Sequence, residues 1–230
     1  MFIFNPMIVH GKVKSPYLIS LKNNLLSYYT FNNTLVDSKA AYNLTSGVGS
    51  TSISYTTGKQ LNGVYLTGTN WVARSSTNNS ILIPLGGTYP NYSISLWASL
   101  SSTSNWRGIC GRSSTSGAIT ARTTTGELGI YKSSFYGFGY IMSANVWRHL
   151  VFVYTGSWKL YVNGVLASSN VGANITFDLS AIGAWTNGGS GLNPWVGAFD
   201  EFGIWTRALL QEEITELYNK GNGIAYTDIG

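Results

Sequence analysis

The stretch Trp195-Val-Gly-Ala-Phe-Asp-Glu-Phe-Gly-Ile-Trp-Thr-Arg-Ala-Leu-Leu-Gln-Glu-Glu-Ile-Thr-Glu-Leu-Tyr218 reads as a strand that runs directly into a short helix. Phe199, Glu201, Gly203 and Trp205 alternate with Ala198, Asp200, Phe202 and Ile204. Both faces carry bulky groups, so the strand belongs in the middle of a sheet, with Asp200 and Glu201 pointing to opposite sides. Leu210, Ile214, Leu217 and Tyr218 then fall on one helical stripe. Lys220 followed by Gly221 supplies a helix end, and Thr206 is a candidate cap for its start.

Upstream, every strong pattern has the period of a strand. Lys159-Leu-Tyr-Val-Asn163-Gly164-Val-Leu-Ala167 is a hairpin whose Asn-Gly pair suits the primed turn of a two-residue loop. Ser93 to Ala98 alternates cleanly, and Asn145 to Tyr154 reads as a further strand. Shorter strands are expected at 25–31, 107–111, 118–122, 127–131, 136–140 and 179–183, separated by Ser, Thr and Gly turns. The predicted fold is all-β: a two-sheet antiparallel jelly-roll sandwich with one short C-terminal helix. Residues 25–230 form the domain. Residues 1–24, with two prolines, three lysines and no alternation, read as an N-terminal arm, laid either on the domain itself or on a partner subunit.

The pattern Gly197-x-x-Asp200-Glu201-x-x-Ile204-Trp205-x-Arg207-Ala208-Leu209-x-x-Glu212-Glu213-Ile214-x-x-Leu217-Tyr218 resembles the C-terminal signature of laminin G-like, concanavalin A-like jelly-roll modules. A Ser95-x-Trp97 strand, a Trp147-x-His149 entry and the Tyr161-Val-Asn-Gly164 hairpin resemble further hallmarks of that family in the same order. The likeness spans about residues 25 to 222. It implies a fold that hosts enzymes, lectins, carriers and adhesion modules alike. It also implies a calcium site at the edge of the sandwich, for which Asp37 and Asp200 occupy the motif positions. The alternative is that Asp37 caps its own loop while Asp200 bonds backbone or Arg207.

Charged residues make up 10% of the chain, against roughly 25% in an average soluble domain, while Ser, Thr, Asn and Gly abound. Such a surface suits lectins, adhesins and virion proteins. The net charge of +5 reflects few acids rather than a basic run, which argues against nucleic acid as a partner. Cys110 is alone and reads as a buried small hydrophobe. The first residues, Met1 to His10, lack a basic leader and contain Pro6, a poor secretory signal, and no apolar run is long enough to insert into a membrane. An extracellular or virion-surface location without a signal of its own is therefore expected.

An enzyme is not expected. Glycoside hydrolysis needs two carboxyls about 5 Å or more apart in one cleft, yet none of the nine acids are spaced i, i+2 on a strand. The three helix glutamates, Glu212, Glu213 and Glu216, read as a solvated face. His149, in an apolar strand, reads as a core imidazole, and no zinc-type cluster of Cys and His exists. Trp97, Trp147 and Trp205 lie in strong strands and read as core. Trp106, Trp185 and Trp195 flank polar loops, where an indole face can stack on a sugar ring. Trp106 and Trp185, with Asn187 and Asn193 as hydrogen-bonding groups, are the candidate ligand site. Trp195 is expected to cover an end of the sandwich. Arg107, Arg112, Arg122 and Lys132 recur across successive strands as a basic band that would suit an acidic glycan, or simply as solvated faces.

The reading that follows is a non-catalytic lectin-type module on an extracellular assembly, a phage or virus particle, as a head decoration, fibre or tail adhesin. Its partner is a host-surface glycan or a neighbouring virion protein, with oligomerisation or attachment through the arm. The rivals are a purely structural virion subunit and an ancillary carbohydrate-binding domain of a secreted hydrolase.

Overall fold

The computed structural model describes residues 14–74, 83–85, 87–112, 117–176, 178–187 and 190–230. Among them, helix α1 (Pro16–Ser20) precedes strands β1 (Leu25–Tyr29), β2 (Thr45–Ser46), β3 (Ser54–Thr57), β4 (Asn62–Thr67), β5 (Val72–Ala73), β6 (Tyr92–Leu100), β7 (Arg107–Gly111), β8 (Ala118–Ala121) and β9 (Glu127–Tyr131). There follow β10 (Phe135–Ile141), β11 (Arg148–Tyr154), β12 (Trp158–Val162), β13 (Val165–Val171), β14 (Ala181–Ile182), β15 (Trp185–Asn187), β16 (Ser190–Leu192), β17 (Val196–Trp205) and helix α2 (Gln211–Tyr218). Two antiparallel sheets face each other. One runs β13-β12-β11-β6-β17-β4-β3 with β1 also on β17, and the other runs β10-β9-β8-β7-β14-β5-β2. β15 and β16 form a separate hairpin.

β17 is central, as its two apolar faces require. It pairs with β6, β4 and β1. Strict alternation fails at its middle, however. The register against β6 slips between Asp200 and Gly203, and Glu201 adopts a positive φ of 49°. This bulge brings Phe199, Phe202 and Ile204 all into the core between the sheets. The expectation that Asp200 and Glu201 face opposite ways on a regular strand is thereby corrected: both are buried within the irregular turn of backbone.

A second apolar layer covers the outer face of the larger sheet. Val151, Val153, Tyr28 and Trp205 pack there against Leu209, Ile214 and Leu217 of the helical segment, with Leu21 and Ile229. The Trp205 indole N–H donates to the Leu21 carbonyl at 2.7 Å. The described part of the predicted arm, 14–24, is thus packed against the domain, with α1 opened by Ser15 and Pro16. Residues 1–13 lie outside the described residues.

The helix differs from its expected form in three ways. Leu210 is its N-cap and is exposed, so Leu209 takes the buried place on the stripe. Thr206 does not cap it; its hydroxyl donates to the Asn24 carbonyl, and the Glu213 carboxylate instead accepts the Leu210 N–H at 2.8 Å. Glu213 is buried rather than solvated, gripped by both terminal nitrogens of Arg207 at 2.6 and 2.7 Å and by the Ser20 hydroxyl. These bonds outweigh burial and hold its carboxyl below the usual range.

The Asn163-Gly164 turn has positive φ at both residues, 51° and 81°, as its primed type demands. Cys110 is fully buried, and burial pushes its thiol pKa up. Trp97 and Trp205 are core residues, whereas Trp147 is only half-buried, since the regular part of β11 begins after it. Trp195 is fully buried, its N–H donating to the Ser99 carbonyl.

Candidate functional site

The outer face of the smaller sheet is built from small residues. The strand registers align Phe135, Tyr131, Ala118, Gly111, Ala181 and Ala73 in one row across the sheet. Gly137, Gly129, Thr120 and Gly108 form the next. Their chain neighbours Ile119, Ile130 and Ile182 point into the core, so these rows face outward. Such a floor leaves room for flat side chains. A Cβ on Gly129 would stand 2.3 Å from the Phe135 ring, so only glycine lets that ring lie against the strand.

Four rings occupy this floor. Trp106, in the turn before β7, packs against Tyr131 at 5.5 Å, Phe135 at 5.3 Å and Trp185 at 6.3 Å between centroids. Tyr131 and Trp185 are 5.0 Å apart. Trp106, Tyr131 and Phe135 are half-buried, so each keeps a solvent-facing part, whereas Trp185 is only 7% exposed and backs the others. The sequence-based pair Trp106 and Trp185 is therefore brought together. Tyr131 and Phe135 were missed, although residues that flank the short turn of a β-hairpin must pair side by side.

Arg107 holds the loops that carry the rings. Its Nε donates to the Ser102 carbonyl, Nη1 to the Pro194 carbonyl and Nη2 to the Ser104 hydroxyl. Only 7% exposed, it is a clamp and not part of a surface band; burial lowers its pKa. The Asn193 carbonyl accepts the Gly108 N–H at 2.7 Å, so Asn193 contributes an anchor between the same loops through its backbone. Asn187 pairs with Ser190 across the β15–β16 hairpin, and its side chain lies outside the described residues. Of the predicted band, Arg122 is exposed, and Arg112 and Lys132 are half-buried.

The two aspartates proposed for calcium serve backbone donors. Asp37 accepts the N–H groups of Tyr28, Lys39, Ala41 and Tyr42, and so closes the loop after β1. Asp200 accepts those of Lys59, Gln60 and Glu201. A cation at Asp37 would have to displace donors that already fill its acceptor sites, Asp200 keeps only one site open, and among the described residues no three His, Cys, Asp or Glu side chains converge as a metal-binding group. Arg207, the alternative partner for Asp200, is engaged by Glu213. His149 is 1% exposed, with Nε2 at 2.9 Å from the Ser95 hydroxyl and Nδ1 unpartnered; burial lowers its pKa to about 3, so the ring is neutral.

A sandwich of two antiparallel sheets with one short C-terminal helix has the architecture of a jelly roll. The sequence model of the concanavalin A-like lectin/glucanases superfamily matches residues 67–215, and the chain belongs to that superfamily. Domain 4 of AbnA, a GH43 extracellular arabinanase from Geobacillus stearothermophilus, solved in complex with arabinotriose, has a similar fold. Its TM-score is 0.61 and its identity 23%, over 84% of this chain and 97% of that one. The ligand binding domain of botulinum neurotoxin serotype D, in complex with N-acetylneuraminic acid, superposes with a TM-score of 0.59 at 19% identity, over 89% of this chain and 53% of its own. A Trypanosoma rangeli sialidase mutant is similar in fold at 12% identity with a TM-score of 0.59, over 88% of this chain and 34% of its own. In sequence, the Rattus norvegicus protein "Sushi, von Willebrand factor type A, EGF and pentraxin domain-containing protein 1" is 26% identical over 102 residues, 36% of this chain. The match spans only 3% of that relative's length.

Proposed function

We propose that this protein is a non-catalytic saccharide-binding module, displayed on an extracellular assembly such as a phage or virus particle, that presents Trp106, Tyr131 and Phe135 to a host-surface glycan. The observation that carries this reading is the ledge of three half-buried rings in mutual contact, on a sheet face that the core does not use. A sugar ring offers an apolar face of C–H groups and a rim of hydroxyls, and such a ledge complements the face. The saccharides named for the arabinanase domain and the neurotoxin domain support a sugar as the ligand class. The extracellular arabinanase also illustrates an alternative setting, an ancillary domain of a secreted hydrolase. For a non-catalytic role, the support is that the adjacent acids of β17, Asp200 and Glu201, are 0% and 4% exposed and lie in the other sheet from the ledge.

A glycan array tests the reading, with Tm as the folding control. Saturable binding that Trp106→Ala abolishes is the expected result. Binding that survives this substitution unchanged would place the site elsewhere. The burial of Trp185 favours a second reading, in which the rings serve contact with a neighbouring subunit and no sugar binds. Absence of saccharide binding, together with loss of assembly in Trp106→Ala, would establish it.

A further inference from the structure

The ring ledge carries an exposed cation, paired with one carboxylate only at the outer limit of salt-bridge distance. Arg122 follows β8, and its guanidinium carbon lies 5.5 Å from the centroid of the Phe135 ring, which itself packs on Trp106. The Arg122 side chain is 51% exposed. Its acidic neighbour, Glu127, makes a long salt bridge through Oε2 at 4.0 Å, while Oε1 of the same carboxylate accepts the Gly139 N–H at 3.1 Å, which leaves the outer side of the guanidinium to solvent. The other acids are committed away from the ledge. Asp37 and Asp200 clamp loops, Asp178 accepts the Leu85 N–H, and Glu201 and Glu213 are buried under the far side of the larger sheet. Glu212 and Glu216 belong to α2, and Asp228 to the C-terminal turn.

We infer that the ligand of this ledge is an anionic saccharide, whose carboxylate or sulfate is taken by the Arg122 guanidinium while a sugar ring stacks on Trp106 and Phe135. The inference rests on the saccharide reading above. A guanidinium held against an aromatic ring loses little further freedom on binding, and its fork of N–H groups matches the paired oxygens of a carboxylate or sulfate. A neutral sugar would offer the guanidinium only hydroxyl acceptors, without the charge complement of a carboxylate or sulfate.

The test uses the full chain on an array of neutral, uronate-bearing, sialylated and sulfated glycans, with Trp106→Ala, Arg122→Gln and Arg122→Lys beside the wild type. The expected result is binding confined to anionic members, lost in Trp106→Ala and weakened about 10-fold in Arg122→Gln, with Arg122→Lys in between. Which anionic members bind separates carboxylate from sulfate. Binding of neutral members, or anionic binding that Arg122→Gln leaves unchanged while Trp106→Ala abolishes it, would overturn the anionic inference and leave the saccharide site standing. No binding by any member, or binding indifferent to Trp106→Ala, would overturn both.

Discussion

Asp200 and Glu201 are adjacent, both buried, and opposite in fate: Asp200 accepts three backbone N–H bonds, while neither carboxyl oxygen of Glu201 completes a hydrogen bond of standard geometry. Burial raises both pKa values, to about 7 for Asp200 and about 8 for Glu201. The three donors favour the charged form of Asp200, so the proton of the pair resides on Glu201, beside the Tyr28 phenol. That arrangement has a measurable consequence. Glu201 binds its proton more tightly in the folded chain than in the unfolded one, so its contribution to stability declines as pH rises from about 4.5 to about 8. The slope is at most about 1.4 kcal/mol per pH unit. His149, depressed to about 3, acts in the opposite sense below its unfolded value of 6.5. Urea titrations of wild type and Glu201→Gln isolate the effect: the variant gains on the wild type progressively across that window. Parallel curves would show that Glu201 is ionised in the fold.

Arg107→Met is expected to cost about 2–3 kcal/mol, because the Ser102 and Pro194 carbonyls lose a charged donor in a buried position. The loss should also loosen Trp106 from Trp185. Near-UV circular dichroism of the native variant reads that change directly, and an unaltered tryptophan spectrum would deny Arg107 its part in shaping the ledge.

Asp37→Ala removes the acceptor of four backbone N–H groups and should destabilise the chain by about 3 kcal/mol, with or without calcium. Calcium itself should leave Tm unchanged. A calcium-dependent rise of several degrees, absent in Asp37→Ala or Asp200→Asn, would instead identify these carboxylates as ligands of the ion.

A chain shortened to begin at Asn24 should be less stable by several kcal/mol. It lacks Leu21, which is fully buried and accepts the Trp205 indole N–H, and Ser20, which meets both Arg207 and Glu213. Removal of residues 1–13 alone leaves these contacts intact. Equal Tm values for the two shortened chains would show that α1 contributes nothing to the fold.

By itself the sequence determined the sandwich, the central place of the strand ending at Trp205, the Asn163-Gly164 turn and the closing helix. Those features depend on period-two and helical patterning and on turn chemistry, all local properties of the chain. It also singled out Trp106 and Trp185, since indoles beside polar loops stand out without any structure. Only the tertiary structure decided the rest. A one-residue bulge at Glu201 reversed the faces of β17, and no pattern marks where a register will slip. Arg107 and Glu213 look like surface charges in sequence, yet their partners include Pro194 and Ser20, which only packing brings near. The ledge likewise joins Trp106, Arg122, Tyr131, Phe135 and Trp185 across five separate segments. Its floor of glycine and alanine is written in six strands, and only hydrogen-bonded register aligns those residues into one surface.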